Sequence, residues 1–342
     1  MLSRSRLESL LSHFPSLTIG LVGDLFLDRY LDIEPSVEEI SIETALEAYQ
    51  IASVRNSPGA LGTVMNNLAA LGVSRLVPVT VIGNDGQAYD LLKELRRLPV
   101  DDSYIIQDGN RLTPTYTKPL QQDAAGRWCE LNRLDLRTRS PLSRATSEKL
   151  GRNLSEAFAN CDGLIVLDQI NETNWGVVND DTRRVLDELA ADQPDKLVFV
   201  DSRAHLGCFR SGVLKGNRTE LLGAIETSAA APPTVEEAAQ QLSRGTGRSV
   251  YATLGELGIL IAQPDGTLLR SPAHPVSGPI DIVGAGDSAT SGIVASLLSG
   301  ATDLEAADVA NLVAGITVQQ LGTTGTATPQ QVLERHAELA AR

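Results

Sequence analysis

The chain has 342 residues, is 42% hydrophobic, and carries 29 basic against 43 acidic residues, a formal charge of −14. That balance, with no dense Lys/Arg stripe to offset it, repels polyphosphate and argues against a nucleic-acid partner. No stretch reaches the roughly 18 to 20 uninterrupted apolar residues that a membrane span needs, so the chain is expected to be cytoplasmic, with its length spent on one large α/β domain over 1–342. Cys129, Cys161 and Cys208 are odd in number and far apart, and read as ordinary thiols. His13, His205, His274 and His336 fall in separate segments, and no zinc site is expected.

Leu7, Leu10, Leu11 and Phe14 recur at helical spacing and predict an amphipathic first helix. LTIGLVGDL follows at 17–25, a β-branched apolar run that predicts a buried parallel strand with Gly23-Asp24 at its carboxyl end, facing a cleft. Similar short runs recur at Leu76–Ile82, Leu164–Leu167, Leu197–Val200 and Val250–Thr253, separated by helix-like stretches. The alternation predicts a mostly parallel central sheet with helices on both faces. Residues 30–57 and 111–135 break it with polar, alternating stretches such as TYTKPLQQ, which predict half-exposed antiparallel strands forming a small β-sheet lid over the cleft. Ala229–Pro233 reads as a surface connection before a helix at 234–243, and Pro264-Asp265-Gly266 as a hairpin turn between two apolar strands.

The most informative stretch is PIDIVGAGDSATSGIVASLLSG at 279–300. Gly284, Ala285 and Gly286 fall where a helix begins, so small residues let backbone N–H groups approach a ligand while the helix dipole adds positive potential. Asp287 follows in the first turn, where a carboxylate is held ionised and can take a proton. An anion hole beside a carboxylate base suits phosphoryl transfer, because the hole holds the migrating charge while the base receives the proton of the attacking hydroxyl. Taken alone, the same four residues also describe a turn and a helix cap.

The surroundings are more specific. An acidic residue at 281, GAGD at 284–287, and Ser291-Gly292-Ile293-Val294 closely resemble the C-terminal signature of the PfkB/ribokinase family of carbohydrate kinases, with Ile282 the one departure. The likeness runs from about residue 17 to 330, and VGDLFLDRY at 22–30 is most similar to the bacterial heptose 7-phosphate kinase branch. It implies a ribokinase-like fold and ATP-dependent transfer of a phosphoryl group to a sugar or sugar-phosphate hydroxyl, with Asp287 as base and Gly284, Ala285 and Gly286 as the anion hole.

Sugar contacts carry over to Asp24 and Asp28, and to Gly59, Thr63 and Asn67 of SPGALGTVMNNLAALG at 57–72, with Lys118 and Arg203 as cations for a sugar phosphate. Ala60 stands in place of the signature's second glycine, Thr63 in place of an asparagine, and Gln169-Ile170-Asn171 where that branch has a lysine-bearing loop. KGNRTE at 215–220 resembles the family's N-x-x-E element, which implies Mg2+ beside Asn217 and Glu220; three residues apart on a helical turn, the two share a face. YATLGELGILI and ANLVAGITV resemble the nucleotide-side elements and implicate Thr253, Gly255, Gly258 and Asn311. ATP and Mg2+ are the cofactors implied, a monovalent cation such as K+ a further one, and a homodimer through the lid the implied assembly. A nucleoside kinase and a non-catalytic binding protein of the same fold are the competing expectations.

Overall fold

The computed structural model describes residues 2–341 except 35, 38, 124, 226–231 and 323; three residues of the expected connection at Ala229–Pro233 lie outside the described residues. Its strands in chain order are β1 (Thr18–Gly23), β2 (Leu25–Ile33), β3 (Ile51–Ala60), β4 (Arg75–Gly83), β5 (Ile105–Asp108), β6 (Thr115–Gln122), β7 (Trp128–Glu130), β8 (Leu134–Leu136), β9 (Gly163–Asp168), β10 (Leu197–Ser202), β11 (Val213–Asn217), β12 (Val250–Thr253), β13 (Ile259–Ala262) and β14 (Leu268–Ser271). The helices are α1 (Arg4–His13), α2 (Leu61–Ala70), α3 (Gly86–Leu95), α4 (Arg144–Asn160), α5 (Asp180–Asp192), α6 (Arg218–Gly223), α7 (Val235–Thr246), α8 (Ala285–Leu298), α9 (Asp303–Thr317) and α10 (Pro329–Ala340).

Nine strands form one sheet in the order β14-β13-β12-β11-β10-β9-β1-β4-β5. All neighbours from β5 to β12 pair parallel; the turn at 254–258 sends β13 back antiparallel to β12, and the hairpin at 263–267 reverses the chain again into the edge strand β14. The parallel strands β1 and β9 are buried along nearly their whole length because helices cover both faces, the reason they read as unbroken apolar runs. Leu7 and Leu10 of α1 are fully buried in the core on one face, worth roughly 1.5 to 3 kcal/mol each.

The run at 17–25 is not one strand. It breaks at Asp24, and the chain continues as β2 into a second, five-stranded sheet in which β3, β2, β6 and β7 lie in that order and β8 pairs with β6. Gly23 is required at the break: a Cβ there would sit 2.1 Å from the Leu167 carbonyl oxygen of β9. The second sheet covers the expected lid segments but is not wholly antiparallel, since β2 and β6 pair parallel from Leu27↔Thr115 to Asp32↔Leu120. Both strands leave the same end of the central sheet, β2 directly from β1 and β6 after β5, so they run side by side in one direction.

Ala60 ends β3 and caps α2 at φ 52° and ψ −113°, a conformation natural to glycine and strained for alanine. Ala60→Gly is expected to stabilise the fold by about 1 kcal/mol, the relief of strain exceeding the added freedom of the unfolded chain. Urea unfolding reads this as a higher midpoint at unchanged slope; a lower midpoint would show that alanine is accommodated without cost.

Candidate active site

The carboxyl ends of the parallel strands bring Asp24, Asp168, Asp201 and Asn217 to one edge of the sheet, the usual place for a ligand cleft in such folds. Helix α8 points its N-terminus at the same edge. Gly284 is its cap, left-handed at φ +80°, and Asp287 is its third residue. The Ala285 N–H, expected in the anion hole, is instead donated to the Ile282 carbonyl at 3.1 Å, and Ser288 N–H goes to the Gly284 carbonyl, whereas the N–H groups of Gly286 and Asp287 find no acceptor among the described residues. These two donors and the helix dipole make an anion site. Asp281, the acidic residue that opens the signature, holds the approach to it by accepting the N–H groups of Val283 at 3.0 Å and Gly322 at 3.1 Å.

Asp287 is half-buried, and its carboxyl is pushed up to about 7 by burial and by Asp201, while Lys215 and Arg203 pull it down and Asp28 pushes it up again. A carboxylate with an affinity for protons near neutrality suits a general base. Beneath it, the buried Lys215 donates to Asp201 Oδ2 at 2.6 Å, and Thr290 of α8 donates to the same oxygen at 2.9 Å. Burial pulls the Lys215 ammonium down, but Asp201, Asp287 and Glu220 outweigh it and hold it protonated.

A cavity of about 760 Å³ opens from this point. Asp287 and Lys215 stand at one end with Arg203, Asn217 and Glu220, and Thr253, Gly255, Gly258 and Asn311 of the expected nucleotide set line the rest with apolar Ile280, Ile282 and Val276. Asn311 uses its amide nitrogen on Ser271 O at 3.0 Å and Ser271 Oγ at 2.8 Å, so it anchors the strand end that forms one wall. Arg203, expected with the sugar contacts, lines this cavity and forms no ion pair with a described residue.

Asn217 and Glu220 close a reciprocal capping box at the start of α6: Glu220 N–H donates to Asn217 Oδ1 at 3.0 Å, and Asn217 N–H to Glu220 Oε2 at 2.7 Å. The helical turn places both on one side, and the cap leaves Glu220 Oε1 without a protein partner among the described residues. Burial raises the Glu220 carboxyl, with Asp201 adding to the effect. A carboxylate oxygen in the cavity wall, relieved of charge by a cation, fits a hydrated Mg2+ held through its waters.

The residues expected on the sugar side form a second cluster. Asp24 is 4% exposed and accepts N–H groups of Val177 at 2.8 Å and Gln169 at 3.2 Å. Burial and the neighbouring Asp168 nevertheless push its carboxyl up to about 7. Asp28, on β2, pairs with Lys118 of β6 at 3.3 Å, and Lys118 also lies 4.7 Å over the Tyr30 ring. The lysine expected to meet a phosphate is therefore already neutralised within the lid. Gly59 of β3 packs on Asp28, where a Cβ would come within 2.7 Å of Oδ2. Thr63 and Asn67 are buried on α2; Asn67 donates to Thr63 O at 2.9 Å, and its Oδ1 has no partner among the described residues. The Thr63 methyl comes within 3.6 Å of where a Gly284 Cβ would stand, and Asp28 is felt at Asp287, so this cluster adjoins the anion site.

Sequence reasoning missed Lys215, Asp201 and Arg111. Lys215 stands two residues before Asn217, and Asp201 two before Arg203, so both were adjacent to residues already singled out. Arg111, in the turn between β5 and β6, is tied to the carbonyls of Ser140 and Trp175 at 3.1 Å each and exerts its charge on Asp24.

The profile of the pfkB family carbohydrate kinases matches residues 180–331. Among curated relatives, the bifunctional protein HldE of Trichlorobacter lovleyi is 28% identical over 336 residues, which cover 97% of this chain and 65% of that protein. The HldE of Geotalea uraniireducens is 30% identical over 340 residues, again 97% and 65%. The chain thus spans just under two thirds of the length of these relatives. Among solved structures, Escherichia coli phosphofructokinase-2 in complex with potassium superposes with a TM-score of 0.71 at 18% identity, covering 95% of this chain and 99% of that one. Arabidopsis thaliana ribokinase complexed with ribose and ATP gives 0.63 at 17% identity, covering 93% and 98%. The fold is ribokinase-like, and residues 180–331, with the signature at 281–294 running into α8, match the pfkB family carbohydrate kinases as a domain.

Proposed function

We propose that this chain transfers the γ-phosphoryl group of ATP to a hydroxyl of a sugar phosphate. The observation that carries the reading is Asp287: a carboxyl poised near neutrality, beside two unpaired helix N-terminal N–H groups, between a cavity of nucleotide size and a cluster of acidic sugar-side residues. In the transfer, Asp287 takes the proton of the attacking hydroxyl, and the N–H groups of Gly286 and Asp287 hold the charge of the migrating phosphoryl group. Asp24 and Asp28 orient the sugar through its hydroxyls; Thr63 and Gly59 shape the floor. Thr253, Gly255, Gly258 and Asn311 border the space for the nucleotide, whose apolar end, at Val276 and Ile280, suits an adenine ring. Asn217 and Glu220 would hold Mg2+, which neutralises triphosphate oxygens when bound. A monovalent cation such as K+ belongs to the same reading.

A phosphorylated acceptor is favoured by the likeness to the heptose 7-phosphate kinase branch and by Arg111. Its guanidinium is held by two carbonyls and forms no ion pair with a described residue, so it supplies beside Asp24 a cation that the 169–171 loop lacks. Dimerisation through the lid is supported by its exposed apolar side chains, Ile42, Leu46, Ile51, Val54 and Leu134 among them. Among the described residues no helix is long and apolar enough to cross a membrane, in keeping with action in the cytoplasm.

The test is ADP release across free sugars and their phosphates with Mg2+ and K+ present. A sugar phosphate is expected to exceed its free sugar by at least about 100-fold in kcat/KM, the worth of one or two charge-assisted hydrogen bonds. Comparable values would remove the phosphate preference, and no ADP release from any sugar would remove the kinase reading.

A further inference from the structure

We infer that Lys215 is a catalytic residue that contacts the transferred phosphoryl group, held ready beneath the anion hole by Asp201. The inference rests on the kinase reading above and adds to it a group that the sequence signature does not contain.

The Lys215 ammonium is buried, and its side chain comes from the carboxyl end of β11. It has three N–H donors, of which Asp201 takes one; no other acceptor among the described residues lies within hydrogen-bond distance. A buried ammonium with two idle donors is an unstable arrangement unless something else receives them. The idle side faces the anion hole. A Cβ on Gly286 would meet the Lys215 nitrogen at 3.2 Å and nothing else within 4 Å, so the ammonium lies directly against the backbone whose N–H groups are free. Lys215, Gly286 and Asp287 share the same cavity wall.

The support for the lysine is itself fixed. Asp201 Oδ2 receives Thr290 Oγ1 from the second turn of α8, so the helix that carries the anion hole also fixes the carboxylate that aims the ammonium. Asp201, Glu220 and Asp287 are three carboxyls around one ammonium, a surplus of negative charge that a triphosphate would meet on arrival. Without Lys215, Arg203 and the two N–H groups of α8 would face these carboxyls with less positive charge.

In the step, the sugar oxygen forms its bond to γ-phosphorus as its proton passes to Asp287, the bond from γ-phosphorus to the bridging oxygen breaks, and ADP leaves with that electron pair. Lys215 stays protonated throughout. Its two idle N–H groups donate to the equatorial oxygens, whose charge rises as the bonds exchange.

Lys215→Met is expected to lower kcat about 100- to 1,000-fold, the range for loss of one such donor, with the KM for the sugar unchanged. Affinity for ADP with aluminium fluoride and sugar, which imitates the transferring group, should fall by a similar factor, while affinity for ADP alone moves less than about threefold. Because Lys215→Met leaves Asp201 buried beside Thr290 alone, the double variant Asp201→Asn/Lys215→Met removes both charges and guards against misfolding; it should show the same losses. Turnover in either folded variant near that of the wild type would overturn the inference for Lys215 and leave the kinase reading standing. So would a loss of kcat without loss of affinity for the aluminium fluoride complex, which assigns the lysine to structure. A wild-type protein that releases no ADP with any sugar overturns both.

Discussion

Asp287→Asn is expected to lower kcat by at least about 100-fold, or roughly 3 kcal/mol, while the protein stays folded and binds ATP. The amide keeps the size of the side chain and the two N–H groups at the start of α8, and removes only the acceptor of the proton. Binding and turnover should therefore separate. ATP affinity should hold or rise, since a negative charge near the triphosphate is gone. A helix cap makes the opposite prediction, because asparagine caps nearly as well as aspartate and the variant would be both folded and active. The measurements are kcat, the ATP dissociation constant and the melting temperature of one purified variant. A folded, ATP-binding Asp287→Asn protein with near wild-type turnover would show that another group is the base.

What the sequence disclosed about this site follows from how each feature is encoded. The central strands were legible because burial on both faces writes itself as an unbroken apolar run, as in Gly163–Asp168, where every residue is buried. The glycines before Asp287 were legible because a helix that must begin with open backbone and a left-handed cap leaves few residue choices. The break at Asp24 was hidden, since Gly23 and Leu25 continue the apolar pattern and only the close approach to Leu167 shows that the strand changes sheet. The parallel pairing of β2 with β6 was equally hidden, because alternation reports which face is wet and says nothing of the direction of the neighbour.

Lys118 and Lys215 show the same limit for charged groups. On sequence, Lys118 looked free for a substrate phosphate and Lys215 went unremarked. The fold reverses their standing: Asp28 and Tyr30 occupy Lys118, and Lys215 retains two donors beside the anion hole. Whether a cation is available depends on partners far away in sequence, and Asp28 and Asp201 are not periodic neighbours of the lysines they meet.

The acid limb of the pH profile should show two groups, not one, and Asp24→Asn should remove one of them. Asp24 and Asp287 are each pushed up to about 7, by burial first and by a neighbouring carboxyl second, and each must be ionised in the free enzyme to do its work. The profile of kcat/KM reports the free enzyme, so its logarithm should fall below neutrality with a slope approaching 2 as pH drops. Asp24→Asn leaves Asp287 alone, and the slope should become 1. At pH 8 the variant should also lose about 100-fold in kcat/KM, because hydrogen bonds from sugar hydroxyls to an ionised carboxylate are replaced by weaker ones to an amide. The same ionisation must register in the stability of the protein without ligand. A carboxyl whose folded value is raised makes a contribution that is fully present below the unfolded value, near 3.8, and is lost as pH rises through about 7. Urea unfolding of the wild type should accordingly show declining stability from pH 5 to pH 8, and the variant should show a shallower decline. A kcat/KM slope of 1 in the wild type, or a variant whose stability falls with pH as steeply as the parent, would mean that Asp24 is ionised throughout this range and that its burial among the Gln169 and Val177 N–H groups costs less than the geometry implies.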